Sequence, residues 1–205
     1  MRYWRFFWMK LRNPHIVTTG FVFLGRGVEL HARKGYAQLI LGRWVHIGDE
    51  NRVRCHEGVM TLGDKVVLGR DNTLNGYLDI EIGASTIVAD WVYICDFDHV
   101  TADLNAPIKD QGIVKSPVRV GPDTWLGVKS TVLRGAFVGR GTVVAAHAVV
   151  RDGVYPDLAI LGGVPARMLK DRAEVYQAEA DTREALADIA RKHERAARRA
   201  RELES

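Results

Sequence analysis

Residues 120–150 read VGPDTWLGVKSTVLRGAFVGRGTVVAAHAVV. An aliphatic side chain returns at every sixth position: Val120, Leu126, Val132, Val138, Val144 and Val150. Neither regular element has this period, because a helix spaces apolar residues three and four apart and a strand two apart. A period of six describes a short flat strand followed by a corner. Three such units close one triangular coil of about eighteen residues, and coils stack at one strand spacing, ~4.8 Å. The aliphatic residue then points into the prism, over and under its own copies.

The same pattern extends toward the N-terminus. Leu41, Ile47 and Val53 form one run, Leu62, Leu68 and Leu74 a second, and Ile82, Val88 and Ile94 a third. Glycine directly follows the aliphatic residue at 42, 48, 63, 69, 83, 121, 127 and 139, far above what 20 glycines in 205 residues give by chance. Four positions after the aliphatic residue, small or β-branched side chains dominate, as at Val45, Thr86, Thr124, Ser130 and Ala148. Coil starts are predicted at Leu62, Ile82, Val120, Val138 and Pro156. The long step from Ile82 to Val120 holds one or two coils plus an insertion. Residues 100–117, VTADLNAPIKDQGIVKSP, break the repeat, and a long loop in a regular scaffold is usually functional.

The rest of the chain sets the bounds. Its 205 residues are 47% hydrophobic and 26% charged, which excludes collagen, a disulfide mini-protein and wholesale disorder. Two cysteines, Cys55 and Cys95, are too few for a disulfide framework and predict a reducing, cytoplasmic setting. A net charge of +4 does not argue for nucleic acid. No stretch approaches the ~18 apolar residues of a membrane span. The expected organisation is an aromatic and basic segment over 1–19, a β-helix over 20–170 and a charged helix over 171–205, which is rich in Ala, Glu and Arg and lacks Gly and Pro. Residues 1–12 interleave Tyr3, Trp4, Phe6, Phe7, Trp8 and Leu11 with Arg2, Arg5, Lys10 and Arg12. They read either as a cover for the domain end or a subunit contact, or as an interfacial helix in peripheral contact with an anionic membrane. The cover is the preferred reading, because one short helix binds a membrane only marginally.

Chemistry concentrates where the repeat breaks. Residues 87–100 read IVADWVYICDFDHV, with His99 directly before the insertion and Asp96 and Asp98 beside it. An imidazole, with its ordinary pKa of about 6.5, suits a general base at neutral pH. Asn75, in LGRDNTLNG (68–76), breaks the rule that a small residue follows the aliphatic one; it reads equally as a site residue or as an asparagine ladder at a corner. Cys95 lies near His99, but it occupies a turn slot and reads as a packed residue rather than a nucleophile. His46, His56, His99 and His147 do not show the close spacing of a catalytic zinc site, and no metal is expected.

Together with ILGGVPARMLK (160–170), the run 120–150 resembles the coenzyme A groove of the hexapeptide-repeat acyltransferases. The 68–76 and 87–100 segments resemble the galactoside and maltose O-acetyltransferase branch. The resemblance implies an all-β fold, a left-handed parallel β-helix of hexapeptide repeats with a C-terminal α-helix. It implies a homotrimer with sites between adjacent β-helices, and acetyl-coenzyme A as cosubstrate. It implies that His99 deprotonates a sugar or glycan hydroxyl, with Asn75 beside the base and Asp96 and Asp98 toward the acceptor. Trp125, Gly127, Val128, Ala145 and Ala146 would line the pantetheine arm, and Arg151, Arg167 and Lys170 would approach the phosphates. His147, Arg134 and Asp152 depart from the family pattern, and the sugar acetyltransferases' helical N-terminal segment is replaced by the aromatic, basic stretch. An N-acyltransferase for an amino sugar and a non-catalytic scaffold are the alternatives.

Overall fold

The computed structural model describes residues 3–203, with side chains from Trp4 to Arg191. Nearly every strand is hydrogen-bonded to a strand of the next coil in parallel register, and three sheets of seven, eight and six strands form the faces of a prism. On the seven-stranded face, Thr18 lies beside Leu41, then Leu62, Ile82, Val120, Val138 and Tyr155. Leu41, Leu62 and Ile82 in this column are fully buried, as are Leu68, Val88 and Leu126 on the second face and Leu74, Ile94 and Val132 on the third. The predicted aliphatic columns are therefore the core.

Successive coils span 23, 21, 20, 38, 18 and 17 residues. The step from Ile82 to Val120 is one coil, not two. The last coil closes on Tyr155 rather than Pro156. Strands begin at Val17–Thr18. Extra residues gather at one corner, after the third strand of each coil, at 33–36, 56–57, 77–78 and 96–117. The last of these leaves the prism as an antiparallel ribbon, Phe97–His99 against Ile113–Lys115, closed over a 3-10 turn at Ile108–Asp110.

The glycines that follow the aliphatic residue of the repeat serve close approach rather than torsion. A Cβ on Gly48 would sit 2.1 Å from the Gly69 carbonyl oxygen, and one on Gly42 2.5 Å from the Asp64 nitrogen. The left-handed residue comes two positions later and is mostly not glycine: Trp44, Lys65, Trp91, Lys129 and His147 have φ between 57° and 63°. Each such residue costs on the order of 1 kcal/mol. The conformation aims its N–H at the preceding coil: Trp91 donates to Arg70 O at 2.9 Å, Lys129 to Asp90 O at 3.0 Å and His147 to Val128 O at 3.0 Å.

An asparagine ladder does exist, at Asn51 and Asn72 rather than Asn75. Asn51 Nδ2 donates to Gly48 O and Gly69 O at 2.9 and 2.7 Å, its Oδ1 accepts from Asn72 N at 3.1 Å, and Asn72 Oδ1 accepts from Val92 N at 2.7 Å.

Helix α1 (Tyr3–Arg12) packs Phe6 and Met9 against the first coil, with the Phe6 and Phe21 rings 4.7 Å apart. The chain divides after Leu169 into two units, and the second carries α2 (Arg172–Leu203). Neither helix is long and apolar enough to cross a membrane.

Candidate functional site

The corner that collects the extra residues also collects the chemistry. Its outer surface carries a ring ladder: His56 stacks on Tyr77 at 4.6 Å, and Tyr77 meets Phe97 edge-on at 4.6 Å. Phe97 opens the ribbon that ends in His99. The His99 ring is exposed and has no hydrogen-bond partner among the described residues. Its backbone N–H donates to the Asp98 carboxylate at 2.8 Å. Asp98 is exposed with it.

Asn75 lies beside Cys95 and Arg54 in the third sheet. Its Oδ1 is 3.0 Å from His56 Nε2, so the structure pairs Asn75 with His56 and not with His99. Sequence reasoning named His56 only in the zinc test; its signal was the register, since His56 follows Cys55, which lies beside Gly76, the residue after Asn75. Tyr93, pushed up to about 12 by burial and by Cys95, completes this cluster. Burial also raises the thiol of Cys95 and pushes that of Cys55 up to about 11. Neither cysteine has the lowered pKa a nucleophilic thiolate requires, which agrees with Cys95 as a packed residue.

Asp96 corrects an expectation. It is fully buried, and its carboxylate accepts the N–H groups of Tyr77, Leu78 and Asp79 at 2.7, 2.8 and 2.7 Å. It ties down the corner of the coil below, with both carboxylate oxygens engaged by backbone donors rather than open to solvent.

The ribbon returns to the prism through two ties. Ser116 N donates to Asp96 O at 2.9 Å. Lys115 forms an ion pair with Glu57 and lies over the Tyr77 ring, 5.7 Å from its centre. The Lys115 ammonium holds the Glu57 carboxyl below its ordinary value of 4.5. A carboxyl depressed in the folded state contributes above its unfolded pKa and loses that contribution as pH falls through the folded one. The ribbon is therefore expected to be tied at neutral pH and to loosen in acid, below 4.5. Hydrogen exchange at Ile113–Lys115 checks this: Lys115→Ala should raise exchange at neutral pH to the level the wild type reaches only in acid.

The small-residue corner at Gly127, Val128, Ala145 and Ala146 is a backbone surface. Gly127 N donates to Val144 O and Ala145 N to Leu161 O, each at 2.8 Å, so both donors are spent in the ladder. Val128 and Ala146 are exposed, and their N–H groups have no partner among the described residues. A Cβ on Gly127 would lie 2.7 Å from Ala146 N, so glycine here keeps the corner flat. Trp125 is half exposed on the second face, in register with Ile87 and Val143. Arg151 and Arg167 are exposed, and Arg151 lies 3.8 Å from Asp152. Lys170 is exposed in the second unit. Two exposed amide donors on a flat corner suit the amides of a pantetheine arm, and the arginines suit phosphates.

No family model matches the chain. It is 61% identical over 196 residues to a protein of Mycobacterium tuberculosis named "Probable acetyltransferase Rv3034c", covering 94% of this chain and 65% of that one. It is 32% identical over 120 residues to the Escherichia coli protein named "Putative lipopolysaccharide biosynthesis O-acetyl transferase WbbJ", covering 55% of this chain and 61% of that one. The chain thus spans less than two thirds of the length of either relative. Among solved structures, AntD, an N-acyltransferase from Bacillus cereus seen with dTDP-4-amino-4,6-dideoxyglucose and coenzyme A, superposes with a TM-score of 0.66 at 18% identity, over 87% of this chain and 96% of that one. That likeness concerns the fold. The repeat, the coil stack and the AntD superposition agree on a parallel β-helix of hexapeptide repeats, and the chain is similar in sequence to proteins named as acetyltransferases.

Proposed function

We propose that the protein is an acetyl-coenzyme A-dependent O-acetyltransferase acting on a hydroxyl of a sugar or glycan. His99 carries the reading: an imidazole on a paired ribbon, exposed, with neither ring nitrogen bonded to a partner among the described residues. The acceptor oxygen attacks the thioester carbonyl carbon while His99 takes the hydroxyl proton. Backbone N–H groups stabilise the tetrahedral oxyanion. Collapse breaks the carbon–sulfur bond, the departing sulfur takes the proton from His99, and the products are the acetyl ester and free coenzyme A. No cysteine is required, in keeping with the raised thiols. Val128 and Ala146 would hold the pantetheine amides, and Arg151 and Arg167 the phosphates. Asn75 acts through His56 on the neighbouring corner.

A homotrimer is part of the proposal. The outward column Val67, Ile87 and Trp125 is 40, 51 and 52% exposed on one sheet, and a continuous apolar stripe of this kind marks a contact surface. A neighbouring β-helix laid on it would supply the second wall of the cofactor groove. Two buried free thiols fit a cytoplasmic setting.

The test is thiol release from acetyl-coenzyme A across a panel of sugars and amino sugars. Release that depends on a hydroxyl acceptor supports the proposal. Release with amino sugars alone assigns N-acyl transfer. Absence of coenzyme A binding would leave a scaffold.

A further inference from the structure

Helix α1 carries two apolar faces. Phe6 and Met9 face the first coil. Trp4, Phe7, Trp8 and Leu11 fall at i, i+3, i+4 and i+7, a single stripe along the opposite side, and they are 61, 66, 49 and 73% exposed. The coil fold is complete without this stripe.

Cations edge the stripe. Arg5 and Arg12 lie along one border and Lys10 along the other. The Arg12 guanidinium sits 4.7 Å from the Trp8 ring centre, and Lys10 reaches Ile16 O at 3.0 Å. Beside the helix a groove of about 550 Å³ opens toward the first coil, with Trp4, Trp8, Arg5 and Arg12 on its walls. Arg26 also lines it but is ion-paired with Asp49 at 3.1 Å, so, among the described residues, the free cations of the patch are those of α1. The chain has no carboxylate before Glu29, and Glu29, which also borders the groove, is neutralised by Arg54 at 2.7 Å. The patch is thus aromatic, aliphatic and cationic together.

We infer that this end of the β-helix docks on an anionic lipid bilayer, α1 lying in the interface with Trp4, Phe7, Trp8 and Leu11 at the headgroup–acyl boundary. Charge complementarity selects this occupant. A second copy docked end to end would set Arg5, Lys10 and Arg12 against their own copies. A purely polyanionic partner would use the cations and leave four apolar side chains wet. An anionic bilayer takes both, since tryptophan belongs at the headgroup level and each cation near the surface strengthens binding roughly fivefold. A lone helix of this length binds marginally, but here packing on the β-helix fixes its conformation in advance. The inference does not depend on the acyl-transfer reading.

The test uses the full chain with vesicles of phosphatidylcholine alone and of phosphatidylcholine containing phosphatidylglycerol. Co-sedimentation should be at least ~10-fold stronger with the anionic vesicles and should weaken with salt. Trp4→Ala with Phe7→Ala should lower binding by roughly 10-fold or more, and Arg12→Glu by a similar factor, with unchanged melting because these side chains are exposed. Brominated lipid should quench the fluorescence of the wild type, and that quenching should vanish in Trp4→Phe with Trp8→Phe while sedimentation persists. Equal binding to both vesicle types, binding unaffected by the Trp4/Phe7 substitutions, or no sedimentation at all overturns the inference. So does dissociation of the oligomer by those substitutions, which would make the stripe a subunit contact.

Discussion

His99→Ala is expected to lower acetyl transfer by about 10²–10⁴-fold, the usual contribution of a positioned general base, while coenzyme A binding is kept. On the proposed reaction the imidazole accepts one proton and returns it to the departing sulfur, so its loss removes a path for the proton and nothing else. The fold should tolerate the change, because the ring is exposed and makes no internal hydrogen bond among the described residues. Melting should therefore shift by no more than about 0.5 kcal/mol. The pH profile supplies a second readout. The wild-type rate should rise with pH along a limb set by one group losing a proton, and that limb should disappear in the variant. Unchanged thiol release in His99→Ala would remove the base from the scheme and turn attention to His56, whose Nε2 is committed to Asn75 at 3.0 Å.

The columns were legible because one physical demand recurs at every sixth residue: a side chain must fill the prism and its neighbour must clear the next coil. Leu41, Leu62 and Ile82 announce themselves in this way. The first coil did not, because Thr18 occupies the slot that Leu41 holds one coil later, and its third corner carries extra residues at 33–36. The insertion was visible as broken period, but its shape as an antiparallel ribbon was not, since Phe97–His99 and Ile113–Lys115 are too short to carry a pattern. His99 could be named from its place at that break. The pairing of Asn75 with His56 needed the register between coils, which depends on how many residues each corner inserts. Asp96 shows the opposite limit. Its neighbours in sequence suggest a polar surface, but it sits at the corner after Cys95, where three backbone N–H groups of the coil below turn its carboxylate inward. Of the N-terminal segment, Phe6 and Met9 cover the domain end as the first reading expects, while Trp4 and Phe7 stay exposed, which the sequence pattern of α1 could not separate.

Asp96→Ala is expected to destabilise the β-helix by about 3–5 kcal/mol, because three backbone donors lose a charged acceptor in a fully buried position. For a chain of this size that corresponds to roughly 10 °C in melting temperature. Asp96→Asn should recover little, since its amide nitrogen would turn a donor toward donors. Asp98→Ala is the control: that carboxylate is exposed and, among the described residues, accepts only from its own neighbour, so stability should move by less than about 0.5 kcal/mol. The effect is expected to centre on the corner at Tyr77–Asp79, which the side chain holds, because the backbone carbonyl that accepts from Ser116 N at the return of the ribbon is kept in the variant. Thermal melting followed alongside steady-state kinetics separates the two roles open to this residue. A packing role lowers the transition and leaves the Michaelis constant for the acceptor near that of the wild type at temperatures well below it. A binding role would raise the Michaelis constant with the transition in place, and that result would return Asp96 to the acceptor pocket.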